Sequence, residues 1–96
     1  MNLHEHYNSF LPKLFNASAI TLSSHIFYVQ ARNQVSARLR SHEMVHFEQF
    51  QRDGLFGFLY TYLKTYFKYR IQGKSHMMAY YSIPYEAEAY AKERQA

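Results

Sequence analysis

The run Ser41-His42-Glu43-Met44-Val45-His46 sets two imidazoles four residues apart, with a carboxylate directly after the first. On a helix, residues at that spacing lie one above the other on the same face, so both rings can offer a nitrogen to a single point. Two converging imidazoles suit a tetrahedral Zn²⁺ ion, which takes nitrogen and oxygen donors. Glu43 stands beside that point without having to bind there. It can take a proton from an attacking water and later return it to a leaving amine, the acid–base work of peptide-bond hydrolysis. A zinc ion makes hydroxide available near neutral pH, which completes the chemistry. The expected cofactor is therefore Zn²⁺, one per chain, held by His42 and His46. The expected activity is that of a metallopeptidase acting on a peptide or protein, with Glu43 as general base and then general acid.

A hydrolytic zinc keeps three protein ligands and one open position. The chain has no cysteine, and the candidates for the third ligand are His4, His6, His25, His76, Asp53, Glu86 and Glu88. Asp53 is three turns along the same helix from His42, too far to share an ion with it. His4 and His6 fall in an N-terminal stretch and are expected on the surface. Glu86 and Glu88 open a later helix that can fold back on the first, and either could supply the carboxylate. A separation of two residues turns their side chains roughly 200° apart, so both cannot face one ion.

The elements that must position these groups read as α+β. Residues 1–17 are expected to be irregular, with Pro12 breaking any early element. Ala19 to Val29 reads as a hairpin turning at Ser23-Ser24. Period two then puts His25, Phe27 and Val29 on one face and Ile26 and Tyr28 on the other. A helix is predicted from about Gln34 to Asp53, capped by Asn33 and stopped by Gly54, with Val35, Leu39, Val45 and Phe50 on the same stripe as the two histidines. A second helix, Leu55 to Ile71, should turn Leu59, Tyr62, Leu63, Tyr66 and Phe67 inward and Thr61, Lys64, Thr65, Lys68 and Gln72 outward. A short helix between Ser75 and Tyr81 and a last one beginning at Pro84 complete the chain.

The 96 residues amount to one domain, and nearly half of them are hydrophobic, including ten Tyr and eight Phe. That excludes a disordered segment and points to a small packed core that a bound metal would help to stabilise. The net charge of +4 is spread along the chain, so no nucleic-acid partner is expected. No apolar run is long enough for a membrane span, and the N-terminus lacks the pattern of a secretory signal. A cytoplasmic location is the default expectation.

The run LRSHEMVHFEQF, then an aromatic and basic helix, then HMMAYYSIPYEAEAYA, resembles the small zincin-type metallopeptidases of bacteria and phages, of the minigluzincin kind. Several of these have H-E-x-x-H-x-x-Q, a helical spacer and a Pro-aromatic-Glu-x-Glu-Ala segment, with a hairpin like AITLSSHIFYV upstream. The resemblance spans residues 18–92. It implies a single minimal zincin-like domain, a hairpin or small sheet followed by three or four helices with the active-site helix central. It also implies a gluzincin-like site in which Glu86 is the third ligand. Related zincins place Asp or Asn four residues after that glutamate, and here the position is Tyr90. The resemblance further implies that an extended substrate pairs with Ile26 to Val29 by strand addition. Gln49 could support a ligand or touch substrate, and His76, Tyr80 and Tyr81 are candidates for stabilising an oxyanion. Two other readings fit the same residues. One is a zincin-fold binding or regulatory module that holds zinc without turnover; the other is a basic, aromatic domain that binds anionic surfaces through the lysine face of the second helix.

Overall fold

Ile26 and Tyr28 are fully buried, while His25 and Phe27 on the opposite face are half exposed, the alternation expected of a strand covered on one side. A computed structural model describes residues 2–93 and is α+β throughout that span. Three strands come first: β1 (His4–His6), β2 (Ala19–Leu22) and β3 (His25–Tyr28). Four helices follow: α1 (Ala37–Asp53), α2 (Leu55–Ile71), α3 (His76–Ser82) and α4 (Pro84–Glu93). The sheet order is β1-β3-β2. Strand β2 is antiparallel to β3, with Thr21 opposite Ile26, and β1 is parallel to β3, with His4 opposite His25.

The N-terminal stretch is more ordered than its sequence suggests. It supplies β1 and a 3-10 turn at Leu11–Phe15, with Pro12 in the first turn. Alternation is hard to detect over three residues, and a parallel neighbour far along the chain leaves no local signal. Glu5 anchors β1. Its carboxylate accepts from Arg40 at 2.8 and 3.0 Å and from the buried Tyr28 hydroxyl at 2.9 Å. The Arg40 hydrogen bond is the main reason that the Glu5 carboxyl lies below its ordinary value, with burial opposing it and Tyr28 assisting. A depressed carboxylate stabilises the fold above its unfolded pKa and stops doing so as pH falls through the folded value. Arg40 is half exposed, so solvent screening holds the contribution to about 1 kcal/mol. Glu5→Gln should therefore cost about that much in urea unfolding at pH 7. The gap between parent and variant should close once the pH drops well below 4.5, the ordinary value of the group.

Helix α1 starts later than Gln34. Arg32–Gln34 forms a separate 3-10 turn, Val35 is extended, and the Ser36 hydroxyl accepts from Leu39 N at 3.0 Å as the N-cap. Both Asn33 and Ser36 suit a cap, and the break at Val35 decides between them. Gly54 joins α1 to α2 at φ 78°, ψ 161°, a region that glycine enters without strain.

Helix α2 has the predicted bounds but not the predicted rotation. Phe58 is buried in a ring stack, 3.8 Å from Phe50 and 4.3 Å from Tyr85 between centroids. Thr61, Tyr62, Thr65 and Tyr66 are half buried, whereas Leu59, Leu63 and Phe67 are 36%, 52% and 56% exposed. Thr65 can face inward because its hydroxyl donates to the carbonyls of Thr61 and Tyr62 within the helix, at 2.9 and 3.1 Å. Helix α4 lies along α1, and α3 bridges α2 and α4. The fully buried Ala79 and Ala89 are small enough to let these helices approach closely. Among the described residues no helix is long and apolar enough to cross a membrane.

Candidate metal centre

His42, Glu43, His46 and Gln49 are all buried on the inward stripe of α1. Facing them, Pro84 starts α4 and places the buried Glu86 in its first turn. Glu86 Oε1 lies 3.2 Å from His42 Nε2 and 3.1 Å from His46 Nε2, and the two nitrogens are 3.2 Å apart. Donors around a tetrahedral Zn²⁺ stand roughly 3.3 Å from one another. Two buried ring nitrogens and one carboxylate oxygen at this spacing therefore fit a divalent ion. Among the described residues, His42, His46 and Glu86 form a buried group able to hold a metal ion.

The surroundings orient each donor. The Nδ1 of His46 is 2.8 Å from Gln49 Oε1, and since an amide oxygen can only accept, Nδ1 carries a proton and Nε2 is the nitrogen that would coordinate an ion. Gln49 is held in turn by donating to Tyr85 O at 3.1 Å and to Glu88 Oε1 at 2.7 Å. The Tyr62 hydroxyl donates to Glu86 Oε2 at 2.7 Å, and that of Tyr80 donates to Oε1 at 3.1 Å. His42 Nδ1 is 3.3 Å from Glu93 Oε2, near enough for attraction but poorly aligned, and it has no hydrogen-bond partner among the described residues. The Tyr90 and His42 rings pack edge to face, with their centroids 4.4 Å apart. At the position where the resemblance expects Asp or Asn, this chain thus supplies an aromatic contact, and Glu93 brings a carboxylate from about one turn further on.

Burial opposes the charged form of Glu86, but the hydrogen bonds from His42 and His46 outweigh it and hold the carboxyl well below the usual carboxylate range. Burial likewise lowers His46, yet its bonds and charge attraction to Glu86, with Glu43 and Gln49 assisting, leave it raised on balance. Burial first, and then the Glu86 charge, push the Tyr62 and Tyr80 hydroxyls far up, so both remain protonated donors. Glu43 is moved the other way from Glu86. Burial raises its carboxyl, only partly offset by His46, Thr21 and His42. The two buried carboxyls of the site are thus shifted in opposite directions, Glu86 toward the anion and Glu43 toward the neutral acid.

The sequence candidates are now sorted. Glu86 joins the histidines, while Glu88 is turned away toward Gln49, with Arg52 and Lys92 at 4.0 and 3.9 Å. Asp53 pairs with Arg52 and accepts from Tyr85. His4, His6 and His25 stack on the outer face of the sheet, His6 Nε2 lying 3.0 Å from His25 Nδ1. His76 meets the Tyr66 hydroxyl at 2.8 Å. Tyr80 reaches the metal group, whereas Tyr81 lies on the cleft wall and is nearly half exposed. Besides Glu93, two contributors went unseen in the sequence. Tyr62 was one aromatic among many on α2. Thr21, on β2, donates to Glu43 Oε1 at 2.7 Å and reaches Glu43 O at 3.3 Å; no spacing rule connects a strand threonine to a helix glutamate 22 residues later.

The expected pairing of substrate with Ile26 to Val29 does not fit the sheet. Strand β3 is central and hydrogen-bonded on both sides, and the strand with an unpaired edge beside the site is β2. The parallel strand β1, which covers the other side of β3, is the element hidden in the N-terminal stretch. No protein-family model, curated protein or solved structure matches this chain.

Proposed function

We propose that the chain is a zinc-dependent peptidase on a minimal zincin-like frame. The observation that carries this reading is the pairing of a buried three-donor group with an adjacent buried carboxylate that is not part of it. His42, His46 and Glu86 would hold the ion. When bound, zinc supplies Lewis acidity, polarising a carbonyl and easing deprotonation of water. Glu43, with its raised carboxyl, takes the water proton through the oxygen that Thr21 leaves free and passes it to the leaving amine. To stabilise negative charge that develops on the substrate, the Tyr80 hydroxyl would turn its single proton away from Glu86 Oε1 and toward that charge. The free edge of β2 lies along the same cleft and gives an extended peptide a backbone ladder to join.

The test is metal analysis combined with hydrolysis. Protein purified without chelator should hold one zinc per chain, and chelation should lower its melting temperature and abolish cleavage of a mixed peptide pool. Protein that stays metal-free in zinc-supplemented buffer would exclude this function. Thr21→Val, which keeps the shape and removes the hydroxyl, should retain zinc while lowering kcat by about tenfold or more, the value of one hydrogen bond to a charged group. Unchanged kcat would mean that Thr21 only ties β2 to α1.

A further inference from the structure

The rotation of α2 leaves apolar side chains where a packed helix would hide them. Leu59 and Leu63, both 36% or more exposed, form one wall of a cleft of about 1070 Å³ that opens over the metal group. Met77 and Tyr81 of α3 continue that wall, at 49% and 46% exposed. The opposite wall is β2 with the preceding 3-10 turn, where Leu22 and Phe15 are 43% and 64% exposed. An apolar patch left open to water on both sides of a polar floor marks a ligand site more often than a stray surface feature.

The polar floor limits what such a ligand can be. The inward positions of α2 go to Tyr62, which binds Glu86, and Tyr66, which binds His76. Leu59 and Leu63, offset from these by three residues, are thereby turned to the mouth of the cleft. In an extended peptide lying along β2, alternate side chains project to the same side, and those facing away from the sheet would meet this helical wall. We infer that the chain binds peptides by large aliphatic or aromatic side chains seated against Leu59, Leu63 and Met77, so that its substrates are apolar segments in extended conformation. This inference rests on the peptidase reading, whose substrate class it names.

The test separates the two. Zinc-loaded Glu43→Gln protein is titrated by fluorescence anisotropy with two end-blocked decapeptides, one carrying Leu and Phe at alternate positions and the other carrying Asp and Lys there. The apolar peptide should bind at least about tenfold tighter, as expected for filling an apolar pocket. Leu63→Gln, introduced into the same background, should remove most of that preference. Ile71→Gln should not, since Ile71 is 86% exposed and lies outside the cleft. Equal binding of the two peptides, or equal effects of the two substitutions, would overturn the inference. Tight apolar binding without cleavage by the parent protein would support the inference and remove the peptidase reading instead.

Discussion

Glu43→Gln is expected to abolish hydrolysis while leaving the zinc in place. Glutamine has nearly the shape of glutamate, and its amide oxygen can still accept from Thr21, which donates at 2.7 Å. What disappears is the ability to take a proton, and general acid–base groups contribute roughly a hundred- to ten-thousand-fold in rate. The buried Glu43 is also costly to keep charged. Its raised carboxyl means that the folded state disfavours the anion, a penalty present at neutral pH and relieved as pH falls. The variant should therefore melt at the same temperature as the parent or slightly higher, a stability gain that accompanies loss of a functional charge. Parallel measurements of zinc content, melting temperature and peptide cleavage decide the matter. Cleavage within a few-fold of the parent would remove Glu43 from the proposed role, and loss of zinc would make it structural.

Glu86→Gln should fail in the opposite way. Glu86 is the anion on which both imidazoles and both tyrosine hydroxyls converge. Removing its charge leaves two buried imidazoles and two tyrosine hydroxyls with a poorer shared acceptor, and an unsatisfied buried polar group costs about 1–3 kcal/mol. Zinc affinity should fall more than about a hundredfold, beyond the effect of losing a group that merely orients a ligand. Glu88→Gln is the matched control. Its amide oxygen can still accept from Gln49, and its distant contacts with Arg52 and Lys92 are exposed and weak. Titration with zinc should find Glu88→Gln close to the parent. Zinc retained by Glu86→Gln and lost by Glu88→Gln would move the third ligand by two residues.

The parts of this arrangement that were legible in the sequence are the local ones. The His42–His46 spacing, the bounds of α2, the start of α4 at Pro84 and the alternation of β3 each depend on residues within a few positions of one another. The Glu86 register came from a resemblance in the segment around it, and the structure places that carboxylate in the group. Apart from the start of α1, where a local break at Val35 moves the cap from Asn33 to Ser36, the misses are non-local. Strand β1 exists because Glu5 meets Arg40 and Tyr28 across the fold. The rotation of α2 follows from where two tyrosine hydroxyls find partners, which amphipathic periodicity does not register. Placing β3 at the centre of the sheet needed β1, so the same omission misassigned the edge beside the site.

Helices α1 and α4 meet directly, so the chain between Gly54 and Ile83 leaves the donor group and returns to nearly the same place. Such an excursion is easily lengthened, because doubling a closed loop costs only about 0.6 kcal/mol in chain entropy. Among the described residues, that excursion brings the Tyr62 and Tyr80 hydroxyls to the donors and packs the Phe58 ring against His46. Its outward residues are free to diverge. The architecture therefore separates a nearly fixed chemical centre from an interchangeable wall, and insertions or grafts between residues 54 and 83 that keep those two hydroxyls could alter what enters the cleft without rebuilding what happens at its floor.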